Sequence, residues 1–223
     1  MFWCKLVDFV MYHYSSSFWI SSILFNISQE FGSTEFLGYE TEESEAKVLA
    51  IVCEGTEVSN AIAGASVQIV FNQTPFYAES GGQVGDQGKF SCSSGSGQIL
   101  DCIKQGKIFL HTIKIDEGAI KLSDKLKLAV EPDKRASAAS NHSATHLMHA
   151  ALKHVLGSHV EQKGSLVDAS KLRFDFSHPK AVTKDEIKQI ELLVNQHTLN
   201  NAEVKTELKE KKKRTRVSKK TEE

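Results

Sequence analysis

The sequence predicts an α+β protein in which a small antiparallel β-barrel is followed by an α/β unit. Two observations predict this class. Short runs of alternating hydrophobicity, separated by glycine-rich turns, extend to about residue 131, and helical periodicity begins directly afterwards. A chain of 223 residues can bury such a core, and a content of 40% hydrophobic and 25% charged residues is ordinary for a soluble globular protein.

Residues 1–33 differ from the rest because they are rich in aromatic residues and serine. The apolar run at residues 18–27 is about half as long as the roughly 20 residues that a membrane-spanning helix needs. Lys5 is offset by Asp8 and no A-x-A site follows, so a secretory signal peptide is the weaker alternative. We therefore expect residues 1–33 to be disordered, and we expect no membrane segment.

The barrel is predicted by strands between residues 34 and 131. VQIVF alternates, with Val67, Ile69 and Phe71 on one face, and KLKLAV alternates in the same way at residues 125–130. KIFLHTIKI lies between them as a longer and less regular run. The intervening turns GGQVGDQG, SSGSG, KQGK and DEG are rich in glycine. Short strands at this spacing favour a small antiparallel sheet or barrel.

The α/β unit begins at Pro132, which suits the first turn of a helix. The helical pattern extends to Gly157, a residue typical of the position after a helix. KLRFDF follows as a strand with its apolar residues on one face and Arg173 and Asp175 on the other. A capping box at residues 183–186 predicts a second helix. Its apolar stripe comprises Ile187, Ile190, Leu193, Val194 and His197.

The segment KEKKKRTRVSKK at residues 209–220 is strongly basic, so the rest of the chain is net acidic although the whole carries a net charge of −1. Clustered lysine and arginine can bind nucleic acid through its phosphates. The segment lacks interleaved aromatic residues, however, and we expect residues 209–223 to form a disordered, solvated tail. The α/β unit is then expected over residues 132–208.

The four cysteines, Cys4, Cys53, Cys92 and Cys102, form no C-x-x-C pair. Cys92 and Cys102 could face each other across a hairpin, but reduced thiols are the favoured interpretation. This cysteine usage predicts an intracellular, cytoplasmic protein.

His142 and His146 are the first candidates for a chemical site. Their i, i+4 spacing puts both side chains on one face of the helix about one turn apart, so both can reach one metal ion. A pair of surface or capping histidines is the alternative. Ser143 stands where an H-E-x-x-H protease would carry its glutamate, which excludes that chemistry.

Three motifs carry a resemblance to a known family. HSATHLMHAALKHVLGSHVEQKG at residues 142–164, continued by SLVDASKLRFDFSH, resembles the editing domain of alanyl-tRNA synthetases. TPFYAESGGQVGDQG at residues 74–88 resembles the glycine-rich signature of the barrel that precedes this domain. TEFLGYETEESEAKVLAI at residues 34–51 resembles the segment that joins the aminoacylation half of those enzymes to the barrel. The resemblance covers residues 34–208 and leaves residues 1–33 unmatched.

The resemblance implies a zinc site, because the two histidines of HSATH bind zinc in that family and match His142 and His146. The other two ligands come from a downstream C-x-x-x-H motif that this sequence does not contain, so two of four expected ligands are present. Zinc sites normally have at least three protein ligands. His149, His154 and His159 are poor substitutes, since only His149 lies within a turn of the pair. ATP is implied for the full-length family only.

The resemblance also implies a substrate pocket. Gln162 matches a glutamine that helps the family to discriminate the bound aminoacyl group, and an amide can donate and accept beside a serine hydroxyl. Taken alone, it would be a polar turn residue. Lys163 and Ser165 are expected to contact the tRNA end or to cap a turn. Arg173 and Asp175 are expected to be structural.

The glycine-rich loop that contains Gly81, Gly82 and Gln83 is expected near the acceptor end of alanine tRNA. Glycine permits close approach of the backbone to a phosphate or to the terminal ribose. Without the resemblance, this loop would be an ordinary hairpin turn.

The implied reaction is hydrolysis of seryl or glycyl groups wrongly attached to alanine tRNA, which accompanies tRNA alanylation in protein biosynthesis. Residues 1–33 contain no aminoacylation domain, so the enzymatic activity of this chain is left open. We expect a truncated gene product whose editing domain is incomplete. The alternatives are a freestanding misacylated-tRNA deacylase and a non-catalytic fragment that binds tRNA weakly.

Overall fold

A closed barrel of six antiparallel strands forms the amino-terminal part of the computed structural model, which describes residues 22–200. The strands are β1 (Glu35–Phe36), β2 (Glu43–Cys53), β3 (Thr56–Val58), β4 (Asn60–Ile62), β5 (Ser66–Phe71), β6 (Gln73–Thr74), β7 (Gly88–Cys92), β8 (Gly95–Gln105), β9 (Ile108–Lys121), β10 (Lys125–Val130), β11 (Gln162–Val167) and β12 (Leu172–Phe176). The helices are α1 (22–31), α2 (Pro132–Leu156) and α3 (Lys184–Leu199).

The six barrel strands follow the order β2–β5–β9–β8–β7–β10, and pairing of β10 with β2 closes the ring. Every neighbouring pair in the ring is antiparallel. The short strands β3 and β4 pair with β2 and β9, while β1 and β6 form a separate parallel pair. The predicted small antiparallel barrel is therefore confirmed.

Alternating burial along the strands explains why the sheet closes on itself. In β10, Leu126, Leu128 and Val130 are buried, whereas Lys125 and Lys127 are exposed. Side chains that point inward in this way fill the interior of the barrel. The fully buried large side chains of this core include Ile51, Ile69, Phe71, Phe76, Ile99, Ile113, Ile115 and Ile120.

Helix α1 packs on the outside of the barrel, so the expectation that residues 1–33 are disordered is wrong for residues 22–31. Leu24 and Ile27 are 3% and 4% exposed and share a buried cluster with Ala50, Val70 and Leu110. The i, i+3 spacing of the two helix residues presents one apolar face, which covers apolar side chains on the outer surface of the barrel. Residues 1–21, with Cys4, lie outside the described residues.

The α/β unit follows the barrel as predicted. Helix α2 begins at Pro132 and ends before Gly157, whose φ of 113° favours glycine. Strands β11 and β12 form an antiparallel hairpin, and α3 packs against α2. These elements enclose a second apolar core, which contains Ala151, Leu152, Val160 and Ile190. Residue limits for separate domains stay a prediction.

Helix α3 begins with the predicted capping box. Thr183 Oγ1 accepts from the Glu186 backbone N–H at 3.3 Å, and Glu186 Oε2 accepts from the Thr183 N–H at 2.8 Å. The predicted apolar stripe is only partly correct: Ile190 is buried, but Ile187 is 45% exposed and His197 is exposed. Only part of that stripe faces the second core, so its outer members stay in solvent.

Cys53, Cys92 and Cys102 are free thiols, so the alternative of a disulfide between Cys92 and Cys102 is not realised. Cys102 lies in the barrel core, where burial raises the pKa of its thiol, and the nearby Asp101 and Asp86 raise it further.

None of the helices between residues 22 and 200 is long and apolar enough to cross a membrane. The basic tail predicted at residues 209–223 lies outside the described residues.

Candidate functional site

Helix α2 brings His142 and His146 together on one face, as their spacing predicts. Their imidazole rings stack with centroids 5.0 Å apart and planes 20° apart. His142 is partly buried and His146 is exposed. The pair therefore lies at the edge of a pocket, open to a ligand on the side of His146.

The side chain of Gln83 determines which ring nitrogen of His142 carries the hydrogen. His142 Nδ1 lies 2.7 Å from Gln83 Oε1. Because a carbonyl oxygen can only accept, Nδ1 carries the hydrogen and donates it, which leaves the lone pair on Nε2. Gln83 is 6% exposed, so water has little access to compete for this bond. The sequence had indicated Gln83 as a weak tRNA contact and gave no sign that it meets His142.

His142 is held in its neutral form. Burial lowers the pKa of His142 below the ordinary value of 6.5, and the neighbouring His146 lowers it further, because two imidazolium charges would repel each other. At neutral pH, Nε2 of His142 can therefore accept a proton or coordinate a metal ion.

The glycine-rich loop reaches α2 because it is bonded to strand β11. The Val84 N–H donates to the Val167 carbonyl at 3.0 Å, and the Val167 N–H donates to the Gly82 carbonyl at 2.7 Å. A Cβ at Gly82, whose φ is 89°, would lie 2.5 Å from the Ser165 carbonyl oxygen. Glycine is therefore needed where the barrel loop meets the hairpin.

A small cavity of about 30 Å³ lies where this loop, α2 and the hairpin meet. Five residues singled out from the sequence line it, namely Gly81, His142, His146, Gln162 and Ser165. The structure thus brings the zinc candidates, the candidate selectivity residue and part of the loop into one place. A cavity of this size holds a water molecule or a small substituent of a ligand.

His149 and Thr145 also line this cavity and were not predicted to do so. The Nε2 atom of His149 is buried and has no hydrogen-bond partner within residues 22–200. Buried polar atoms are usually paired, so this nitrogen is available to a ligand or a water molecule. The signal in the sequence was the i, i+7 spacing from His142, which continues the same helix face.

Lys163 is turned away from this cavity. Its Nζ lies 3.0 Å from Glu161 Oε2, and both side chains are more than half exposed. Arg173 Nε lies 3.2 Å from Asp175 Oδ2 on the exposed face of β12, in line with the structural role expected for them. The proposed tRNA contact of Lys163 stays a prediction.

A larger pocket of about 370 Å³ adjoins the histidines on the barrel side. It shares Gln83, His142 and His146 with the site described above, and the aromatic residues Phe36, Tyr39 and Tyr77 also line it. The site thus comprises a small cavity and a larger pocket that is rich in aromatic residues.

An ion pair that the sequence did not reveal anchors α2 to the loop. Arg135 Nε lies 3.0 and 2.9 Å from the two Asp86 carboxylate oxygens, and these side chains are 15% and 5% exposed. Arg135 also donates to the carbonyls of Gly38 at 2.9 Å and Pro75 at 2.8 Å. These bonds tie the first turn of α2, and with it the histidine face, to the barrel.

The side chains present do not by themselves fit a complete zinc site. Within the described part of the chain, no group of three or more His, Cys, Asp or Glu residues could hold a metal ion. His142 and His146 supply two nitrogens, whereas zinc normally takes at least three protein ligands. His149 lines the same cavity without completing a set, His159 contacts another histidine at 2.9 Å, and His154 is exposed.

The chain is similar to tRNA synthetases. A sequence profile described as tRNA synthetases class II (A) matches residues 20–134, which is more than half of the chain. The match begins at residue 20, so the expectation that residues 1–33 resemble nothing in the family is wrong for residues 20–33.

Relatives with curated names agree with this profile. The alanine–tRNA ligase of Paracoccus denitrificans is 47% identical over 188 residues, which are 84% of this chain and 21% of that protein. The alanine–tRNA ligase of Rhizobium meliloti is 47% identical over 188 residues with the same coverage. The alanine–tRNA ligase of Rhizorhabdus wittichii is 50% identical over 188 residues, 83% of this chain and 21% of that protein. The chain thus spans about a fifth of the length of these relatives.

Proposed function

Because this chain belongs to the class II (A) tRNA synthetase family and resembles alanyl-tRNA synthetases, we propose that it contributes part of an editing site for mischarged alanine tRNA. The substrate is the seryl or glycyl ester on the tRNA end. Ligation of alanine, with the ATP that it consumes, is assigned to parts of the longer relatives that this chain does not align with.

One observation carries the proposal: the glycine-rich loop, the histidine face of α2 and strand β11 converge on one polar cavity. The cavity places the imidazoles of His142 and His146 beside the Gln162 amide and the Ser165 hydroxyl. Ester hydrolysis needs a proton acceptor for water and hydrogen-bonding groups around the small aminoacyl group. This set of side chains provides both.

The chemistry assigned to these residues is limited to protons and positioning. Water adds to the ester carbonyl, the bond from the carbonyl carbon to the ribose oxygen breaks, and that oxygen takes up a proton. His142, with its proton held at Nδ1 by Gln83, offers Nε2 as the acceptor for the proton of water. Gln162 can donate to and accept from a seryl hydroxyl. No step is assigned to zinc, because the described residues supply two of the ligands that it requires.

Deacylation of purified seryl-tRNA for alanine by the full chain, with and without added zinc, tests the proposal. We expect turnover, and we expect His142→Ala to lower it by about 100-fold or more, because this variant removes the imidazole that accepts the proton of water. Gln162→Ala should reduce the discrimination between seryl and glycyl esters. His154→Ala is the matched control, because His154 is an exposed histidine of the same helix.

The alternative is a chain that binds tRNA weakly and hydrolyses nothing. The incomplete set of zinc ligands favours this alternative, because His142 and His146 supply two nitrogens among the described residues and zinc normally takes at least three protein ligands. Absence of both turnover and zinc in the purified protein would establish this alternative. Turnover that His142→Ala abolishes and His154→Ala preserves would exclude it. Because the longer relatives act in protein synthesis on tRNA, we assign this chain to the same cytoplasmic process.

A further inference from the structure

The larger pocket beside the histidines has an exposed aromatic wall at residues 36–39, the aromatic turn. Tyr39 is 84% exposed. The Phe36 ring meets Tyr39 edge-on with centroids 5.0 Å apart, and it stacks on Phe109 with centroids 5.6 Å apart. The Tyr39 ring is thus supported from the barrel core but is itself left largely in solvent.

The aromatic turn is fixed in place. The carbonyl of Leu37 accepts from the N–H groups of Glu40 and Thr41 at 2.9 and 3.1 Å. The Gly38 carbonyl accepts from Arg135 Nη1 at 2.9 Å. A Cβ at Gly38 would overlap the Phe36 ring and the carbonyl oxygen of Pro75, so the turn needs glycine here. An exposed aromatic ring on a fixed turn is arranged in advance to contact a ligand.

The charges of the residues that line the larger pocket indicate which class of ligand it can bind. Arg135 is the one residue with a full charge among those lining it, and its donors are bound to Asp86 and to the carbonyls of Gly38 and Pro75. A phosphate or carboxylate therefore finds no free cation among the lining residues. The remaining groups are aromatic rings, imidazoles, the Gln83 amide and a hydroxyl, which suit a neutral, planar group with polar edges.

We propose that this pocket binds the terminal adenosine of the tRNA acceptor end, with its base stacked on Tyr39. The proposal rests on the editing function proposed above, because the ester is carried by the ribose of that nucleoside. Gln83, His142 and His146 line the same pocket, so a base at the aromatic turn leaves its ribose beside the histidines. The volume of about 370 Å³ lies within the range of ligand pockets.

The probe is an uncharged RNA minihelix with the alanine acceptor stem ending in CCA, and its binding to the full chain is measured by fluorescence anisotropy at fixed salt. We expect Tyr39→Ala to weaken binding by roughly 5- to 150-fold, the usual loss for one base–aromatic stack. Tyr39→Phe should bind like the parent. Phe25→Ala is the matched control, because Phe25 is 63% exposed and is not among the residues lining the pocket.

A second minihelix that ends in CC, without the terminal adenosine, locates the contact. Tyr39→Ala should leave its affinity unchanged. An equal loss for both RNAs, or no binding of either RNA to the parent chain, overturns the proposal. Tyr39→Ala should also leave the melting temperature unchanged, since the side chain is exposed.

Failure of the editing function is distinguishable from failure of this proposal. If the RNA binds through Tyr39 and its terminal adenosine but the ester is not hydrolysed, the editing function is wrong and the adenosine pocket is supported. If the ester is hydrolysed and Tyr39→Ala leaves the rate unchanged at substrate concentrations below KM, the adenosine pocket is wrong and the editing function is supported.

Discussion

At the scale of single residues, the surroundings of two histidines decide how each holds its proton. His142 is partly buried and donates to an amide at the site. His111 is 0% exposed in the barrel core, where its Nδ1 lies 3.3 Å from the Ile69 carbonyl and its Nε2 lies 2.8 Å from Thr74 Oγ1. Nδ1 therefore donates to Ile69, and Nε2 accepts from the Thr74 hydroxyl.

His111 should make the stability of the fold depend on pH. Burial lowers the pKa of His111 from 6.5 to about 4, with a small opposing effect of the Ile69 hydrogen bond. Between pH 6.5 and 4, His111 is protonated in the unfolded chain but stays neutral in the folded chain. The free energy of unfolding should therefore fall between pH 6.5 and 4, by about 3 kcal/mol in total from this group. Urea denaturation across this pH range measures the loss.

The variant His111→Gln should show a shallower decline in the same pH range. His154→Gln, at an exposed position, should decline as steeply as the parent. An unchanged slope in His111→Gln would show that other groups cause the dependence.

At the scale of elements, the Arg135–Asp86 pair determines how α2 sits on the barrel. Asp86 also accepts from the Tyr77 backbone N–H at 2.6 Å, so this carboxylate is bonded from both the loop and the helix. A buried charge that loses its partner costs far more than an exposed one, because water cannot replace the lost contact.

Arg135→Met should lower the free energy of unfolding by about 3–5 kcal/mol, because it leaves the Asp86 carboxylate buried without its counter-charge. The double variant Arg135→Met with Asp86→Asn should lose less, since the stranded charge is gone. Lys125→Met is the control: the ion pair of Lys125 with Glu45 has side chains 72% and 58% exposed and should contribute about 1 kcal/mol or less. Urea unfolding compares the three, and a double variant no more stable than the single one would contradict this explanation.

At the scale of the whole molecule, the glycine-rich loop joins the barrel to the hairpin and α2. The loop is bonded to β11 through Val84, Val167 and Gly82, and to α2 through Gln83. The cavity exists only while these contacts hold, because its walls belong to different parts of the chain.

Gly82→Ala should loosen this junction. Its Cβ would press on the Ser165 carbonyl, and we expect a loss of on the order of 1–3 kcal/mol beyond that of Gly106→Ala. Gly106 has a φ of 61° and open space around it, so its variant measures the cost of the backbone conformation alone. Hydrogen exchange should increase at the Val84 and Val167 amides more than in the barrel strands. Equal effects of the two variants would show that the close approach to Ser165 does not matter.

The sequence by itself determined the features that depend on neighbours along the chain. The alternation in β10, the start of α2 at Pro132 and the capping box at Thr183 follow from local hydrophobic period and hydrogen bonding. The shared face of His142 and His146 follows from the helical repeat, and the resemblance of the motifs identified the family. Burial of α1 was missed because its apolar run is short and its partner surface lies on distant strands.

Only the tertiary structure decided which distant residues form the site. Gln83 and His142 are 59 residues apart in sequence, and Arg135 and Asp86 are 49 apart. Neither contact follows from a local pattern, because each depends on how the loop, α2 and β11 pack together. The exposure of Tyr39 beside the histidines likewise results from the position of the aromatic turn on the closed barrel. Local periodicity fixes the elements, whereas long-range packing assembles the site between them.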